Sequence, residues 1–63
     1  MERISYTDCF TLKPGETIYI MCGYKYLKSI VKRPPFWNND ANIPEWEIET
    51  NNGYTDLYSV YRK

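Results

Sequence analysis

The chain has no histidine, only two cysteines and only three glycines among its 63 residues. Each shortage removes a class of chemistry. Without histidine no Ser-His or Cys-His nucleophile pair can form. Cys9 and Cys22 lack CxxC zinc spacing, and two thiols are too few for a disulfide scaffold. Three isolated glycines do not make a phosphate-cradling loop. Net charge is missing too: eight Lys and Arg balance eight Asp and Glu, so bulk charge argues neither for nor against nucleic acid. No apolar run approaches the ~18 residues of a membrane span. Met1-Glu2-Arg3 leads into strand-like sequence without the apolar core of a signal peptide. These absences point to a cytoplasmic protein with reduced, partly buried thiols. A single Cys9–Cys22 bridge is the alternative should their two strands pair.

Aromatic rings are what the chain has in quantity: seven Tyr, two Trp and two Phe. A chain this short forms one domain and buries only about 60% of its unfolded surface. Each ring can bury about 150–250 Å², so a few would suffice for a small core. Most of the rings are therefore expected inside or half-buried on strands. The clearest segment is Glu45-Trp46-Glu47-Ile48-Glu49-Thr50. Its period-2 alternation reads as a strand, with Trp46 plugging the interior and the three glutamates hydrated. Asn51-Asn52-Gly53 follows with residues that tolerate positive φ, as a tight hairpin requires.

Four further strands are predicted. Residues 3–12 place Ile4, Tyr6, Phe10 and Leu12 on one face, interrupted at Asp8. Lys13-Pro14-Gly15-Glu16 is a turn, because Pro presets φ and Gly accepts the positive value that follows. Residues 17–22 are β-branched and aromatic, with Ile18, Ile20 and Cys22 toward the core. Residues 24–33 have helix-like spacing at Leu27, Ile30 and Val31, but Gly23 and the β-branched content favour a strand over 27–32. Pro34-Pro35 should end it, leaving 36–44 as a polar loop. Ser59-Val60-Tyr61-Arg62 supplies the last strand. The fold class is all-β: a small five-stranded SH3-like barrel or a strongly twisted antiparallel sheet.

The barrel reading rests on a resemblance. Leu12-Lys13-Pro14-Gly15-Glu16-Thr17-Ile18-Tyr19-Ile20 looks like the opening of SH3-like barrels of the Tudor and KOW types. Tyr26-Leu27-Lys28-Ser29-Ile30-Val31 resembles their second strand, Trp46 to Gly53 their third strand and hairpin, and Leu57-Tyr58-Ser59-Val60 their closing strand. The likeness spans about residues 12–61. It implies a fold and carries over no binding site, and residues 1–11 and 36–44 depart from the pattern.

Charge is segregated along the chain. Between Gly23 and Asn39 every charge is basic (Lys25, Lys28, Lys32, Arg33), and between Asp40 and Asp56 every charge is acidic. Tyr24, Tyr26, Phe36 and Trp37 interleave with those four bases to form the first candidate binding surface, suited to protein hot spots or to stacking on single-stranded nucleic acid. Trp37 is the ring least suited to a core, since it lies between Pro-Pro and Asn-Asn. Asp40, Glu45, Glu47, Glu49 and Asp56 form a second, acidic candidate that could meet a basic partner. Adjacent basic and acidic strands neutralising each other is the competing structural account. A strand edge at residues 3–8 could add to a partner's sheet. The glutamates at period 2 are solvated-face residues rather than a catalytic dyad. Asp40, Asn42 and Glu45 lack calcium-loop spacing. No cofactor or metal is expected. The expected function is a non-enzymatic protein-binding module acting on a larger macromolecular partner. In size and style the chain resembles the accessory or inhibitor proteins of phages and other mobile elements. The alternative is a small nucleic-acid-binding barrel using the Lys/Arg and aromatic surface.

Overall fold

In the computed structural model, which describes Met1–Lys63, the longest strand carries the architecture. The elements in chain order are β1 (Glu2–Arg3), a 3-10 helix (Asp8–Thr11), β2 (Thr17–Cys22), β3 (Lys25–Asn38), β4 (Glu45–Thr50), β5 (Gly53–Asp56) and β6 (Val60–Arg62). All six strands pair antiparallel in one sheet of order β1-β6-β2-β3-β4-β5. The all-β expectation holds, and the structure takes the twisted-sheet form. β1 and β5 remain edges, so the ladder is not closed into a barrel. There is one strand more than expected, because β5 begins directly at Gly53. No helix is long and apolar enough to cross a membrane.

β3 pairs with β2 through Lys25–Ile30 and with β4 from Val31 to Asn38. It therefore bends between the two halves of the sheet. Pro34-Pro35 does not end this strand, contrary to expectation, and Phe36, Trp37 and Asn38 belong to it rather than to a loop. Register shifts between Val31 and Arg33 and between Arg33 and Phe36 explain the tolerance. Bulges place the prolines where the ladder takes no N–H.

Residues 3–12 do not form the predicted strand. Only Glu2 and Arg3 pair with β6, so no extended edge exists over 3–8 to receive a partner strand. Local hydrogen bonds win instead. The Asp8 N–H donates to Ser5 Oγ at 3.2 Å, the Thr11 hydroxyl to the Asp8 carbonyl at 2.7 Å, and the Cys9 N–H to the Ser5 carbonyl at 3.1 Å. The resulting 3-10 turn buries Cys9 and leaves Phe10 exposed. The Lys13–Glu16 turn forms as predicted. The Glu16 N–H reaches the Lys13 carbonyl at 3.1 Å, and Gly15 takes φ of 94°.

The core consists of Ile4, Cys9, Leu12, Ile18, Val31, Ile48, Leu57 and Val60. Side chains from β2, β3, β4 and β6 share this one cluster, which a flat sheet would leave open. The sheet curls around it, and the Cα trace measures 30 × 24 × 21 Å. The 3-10 helix and Leu57 cover what the curl leaves. No aromatic ring is in the core, against the expectation that rings would build it: four of the eleven are half-buried and seven exposed. Ile20 is half-buried and Cys22 exposed, because the end of β2 runs past the core. Both cysteines are free thiols.

Candidate binding surface

Trp46 lies on β4 as predicted but does not plug the interior; it is 37% exposed. Ile48, two residues on, occupies the centre. The reason is the length of β5, which pairs with β4 only from Glu47 to Thr50. Trp46 thus has a neighbour strand on one side only, where Trp37 stands directly opposite on β3. The glutamates beside it, Glu45, Glu47 and Glu49, are half-buried rather than freely hydrated.

That displaced indole belongs to a continuous chain of rings. Trp37 meets Trp46 at 5.9 Å between centroids, Trp46 meets Phe10 at 5.1 Å, Phe10 meets Tyr6 at 5.8 Å, and Tyr6 meets Tyr58 at 5.1 Å. All four pairs are tilted or edge-on, the geometry that ring quadrupoles favour. Trp37 (49%), Phe10 (44%) and Tyr58 (61%) are substantially exposed, so the chain forms a ribbon on the surface. Local bonds hold its ends. The Trp37 indole N–H donates to Asn39 Oδ1 at 2.8 Å, and the Tyr58 N–H donates to Asp56 Oδ1 at 2.8 Å. Partial desolvation, then Tyr58, Glu45 and Cys9, raise the Tyr6 hydroxyl above its ordinary value. Tyr6 therefore stays a neutral donor, with the Glu45 carboxylate close enough to be felt.

The basic–aromatic surface read from sequence is not one surface. Tyr24 is fully exposed at the β2–β3 turn. Tyr26 and Lys28 share the outer face of β2 and β3, since their partners Met21 and Tyr19 alternate with core-facing Ile18 and half-buried Ile20. Lys25, opposite Cys22, takes the other face. Lys32 lies exposed at the bend. Beyond it the Arg33 guanidinium sits over the Phe36 ring at 3.8 Å, and Phe36 meets Tyr54 at 5.8 Å. Trp37 faces the opposite way, into the ribbon. Of the acidic set, Glu47 stands opposite Asp56 and Phe36, and Glu49 opposite Arg33 and Tyr54. Only Glu49 and Arg33 bring opposite charges face to face, and Glu47 and Asp56 set two acids opposite each other. Glu47 also accepts from the Asn38 amide at 2.7 Å. Asp40 and Asn42 lie in the 39–44 connection, and no group of three Cys, Asp or Glu side chains gathers to hold a metal.

Cys9 is buried, and its thiol donates to the Leu57 carbonyl at 3.6 Å. Burial, reinforced by Asp8 and opposed by Arg62 and Arg3, pushes its pKa up. It is a packing thiol held in its protonated form. Sequence reading missed Tyr6, Phe10, Trp46 and Tyr58 as surface residues. The available signal was numerical: eleven rings are more than the interior of a 63-residue chain can take. Comparison with protein-family models, with curated proteins and with solved structures finds no match for the chain.

Proposed function

We propose that the chain is a non-enzymatic protein-binding module whose contact surface is the aromatic ribbon Trp37, Trp46, Phe10, Tyr6 and Tyr58. The observation that carries this reading is the continuity of five rings at 5.1–5.9 Å, with four of them left exposed. Keeping so much joined ring surface in water is unfavourable at about 25 cal/mol per Å², and a partner that covers it recovers that energy. Trp and Tyr are also the residues that dominate binding energy at protein interfaces, because they bury large area with few rotatable bonds. Each ring is braced by the next, so little side-chain freedom is lost on binding. The partner is a larger macromolecule, as expected of an accessory or inhibitor protein.

The test starts with capture from the native cell and continues with the purified partner. Trp37→Ala and Tyr58→Ala, both at exposed positions, should each weaken binding by about 30-fold or more, the size of an interface hot spot. Both should keep the wild-type circular dichroism spectrum. Unchanged affinity in two folded variants would remove the ribbon from consideration.

A further inference from the structure

We infer that the chain carries a second, separate binding surface: a basic tyrosine face on β1, β6, β2 and β3 that takes single-stranded nucleic acid. The strand register assembles it. Arg3 stands opposite Tyr61, Tyr61 opposite Tyr19, and Tyr19 opposite Lys28, one unbroken row across four strands. At about 4.8 Å per strand the row is about 14 Å long. Directly opposed residues of an antiparallel pair share a face. Ile18 and Val60, at the alternate positions, are buried in the core, so this row points outward. Two more side chains complete the face. The Tyr26 ring meets Tyr61 edge-on at 5.1 Å, spanning β2, and the Lys63 ammonium lies 5.8 Å from the centre of the Tyr19 ring.

Its composition decides the occupant. Three tyrosines and three cations lie together, and no carboxylate occupies the row. Glu2, the acid nearest the row, stands opposite Arg62 at the alternate position and so on the other face, and Glu47, Glu49 and Asp56 face each other or Arg33 across β3, β4 and β5, beyond the bend. A cationic surface without acids is complementary to a polyanion, and rings between the cations offer stacking platforms to unpaired bases. Duplex hides those base faces. Four of the six residues (Arg3, Tyr19, Tyr61 and Lys63) lie outside the 24–37 segment that charge patterning alone singles out. Only the fold brings them beside Tyr26 and Lys28.

The test is fluorescence anisotropy with a labelled oligothymidylate of about twenty nucleotides, longer than the roughly 4–16 nucleotide sites of small single-strand binders. Three neutralised phosphates give a logarithmic salt slope of about −2, so affinity should fall about 20-fold between 50 and 200 mM salt. Lys28→Glu should weaken binding at least about tenfold, whereas Lys13→Glu, the same charge change off this face, should leave it within about twofold. Tyr26→Ala should cost about tenfold through the lost stack. Lys28 is exposed, so its variant carries the test if Tyr26→Ala disturbs the circular dichroism spectrum. Four results would each overturn the assignment. They are no binding at about 50 μM protein in low salt, equal loss in both lysine variants, tighter binding to the matching duplex, or binding only to phosphatidylserine vesicles.

Discussion

Asn51 and Asn52 sit side by side in the β4–β5 turn, yet their amides do opposite jobs. Asn52 Nδ2 donates twice, to the Lys28 carbonyl at 3.1 Å and to Ser29 Oγ at 3.0 Å. Asn51 uses its oxygen, accepting from the Ile30 N–H at 2.7 Å. Replacing each by aspartate preserves size and turn preference but removes the amide donor. In Asn52→Asp two bonds are lost, each worth about 0.5–1.5 kcal/mol net. The carboxylate would also point at the Lys28 carbonyl. Buried Ser29 could turn its hydroxyl toward the new acceptor only by leaving the Leu27 carbonyl, its partner at 3.1 Å. The expected loss is about 2 kcal/mol, against a total stability of about 3–9 kcal/mol for a chain of this length. Asn51→Asp keeps its acceptor and gains a charge-assisted bond, so stability should stay within about 0.5 kcal/mol or rise. Urea denaturation read by tryptophan fluorescence measures both. A melting scan should show Asn52→Asp about 8–16 °C lower. If the two variants behave alike, the turn conformation matters and the amide donor does not.

Two further outcomes follow from the core. Ile48→Ala should cost about 2–5 kcal/mol by opening a cavity at a fully buried position, about half of the total stability, and so should bring the urea midpoint down to about half. The second concerns alkaline pH. Burial raises Cys9, and partial desolvation raises Tyr6, so both hold protons more tightly folded than unfolded. Above the ordinary thiol value of about 8.5, the unfolded chain binds fewer protons than the folded one. Stability is then full below that pH and falls as pH rises through the folded values. Denaturation midpoints from pH 7 to 10 should decline, and Cys9→Ala should flatten the early part; a flat wild-type profile over that range would contradict this account of the thiol.

Much of the backbone was legible in the residues. β2 and β4 fall where alternation puts them, and Pro14-Gly15 and Asn51-Asn52-Gly53 turn the chain as their chemistry demands. Of the hairpin residues only Gly53 takes positive φ, at 105°; the asparagines act through their amides. Other features depended on distant partners. β3 crosses Pro34-Pro35 because bulges align it with β4, and a bulge is a property of two strands rather than one. The pattern of residues 3–12 reads as strand, yet the chain turns there because Ser5, Asp8 and Thr11 satisfy the backbone locally. The site was less legible still. Alternation assigns a side chain to a face but not to a depth along that face, and Trp46 shares its face with Ile48 while lying beyond the reach of β5. Trp37 is recognisable as exposed from the Pro-Pro and Asn-Asn on either side.

The placement of the rings follows from the size of the interior. Seven aliphatic side chains and one thiol fill it, and the curl that encloses them leaves no width for an indole. Rings on strands this short must then lie around the core, where they either close gaps between strands or face outward. The bend in β3 sorts them. Before it, the outward row is tyrosine with lysine and arginine; after it, Phe36 is capped by Arg33 among acids, while Trp37 turns under into the ribbon. The two register shifts between Val31 and Phe36 cancel, so Trp37 keeps the face of Val31 while Phe36 keeps the face of Lys28. Because that alternation is set by strand pairing, the separation between the faces does not depend on either face being occupied.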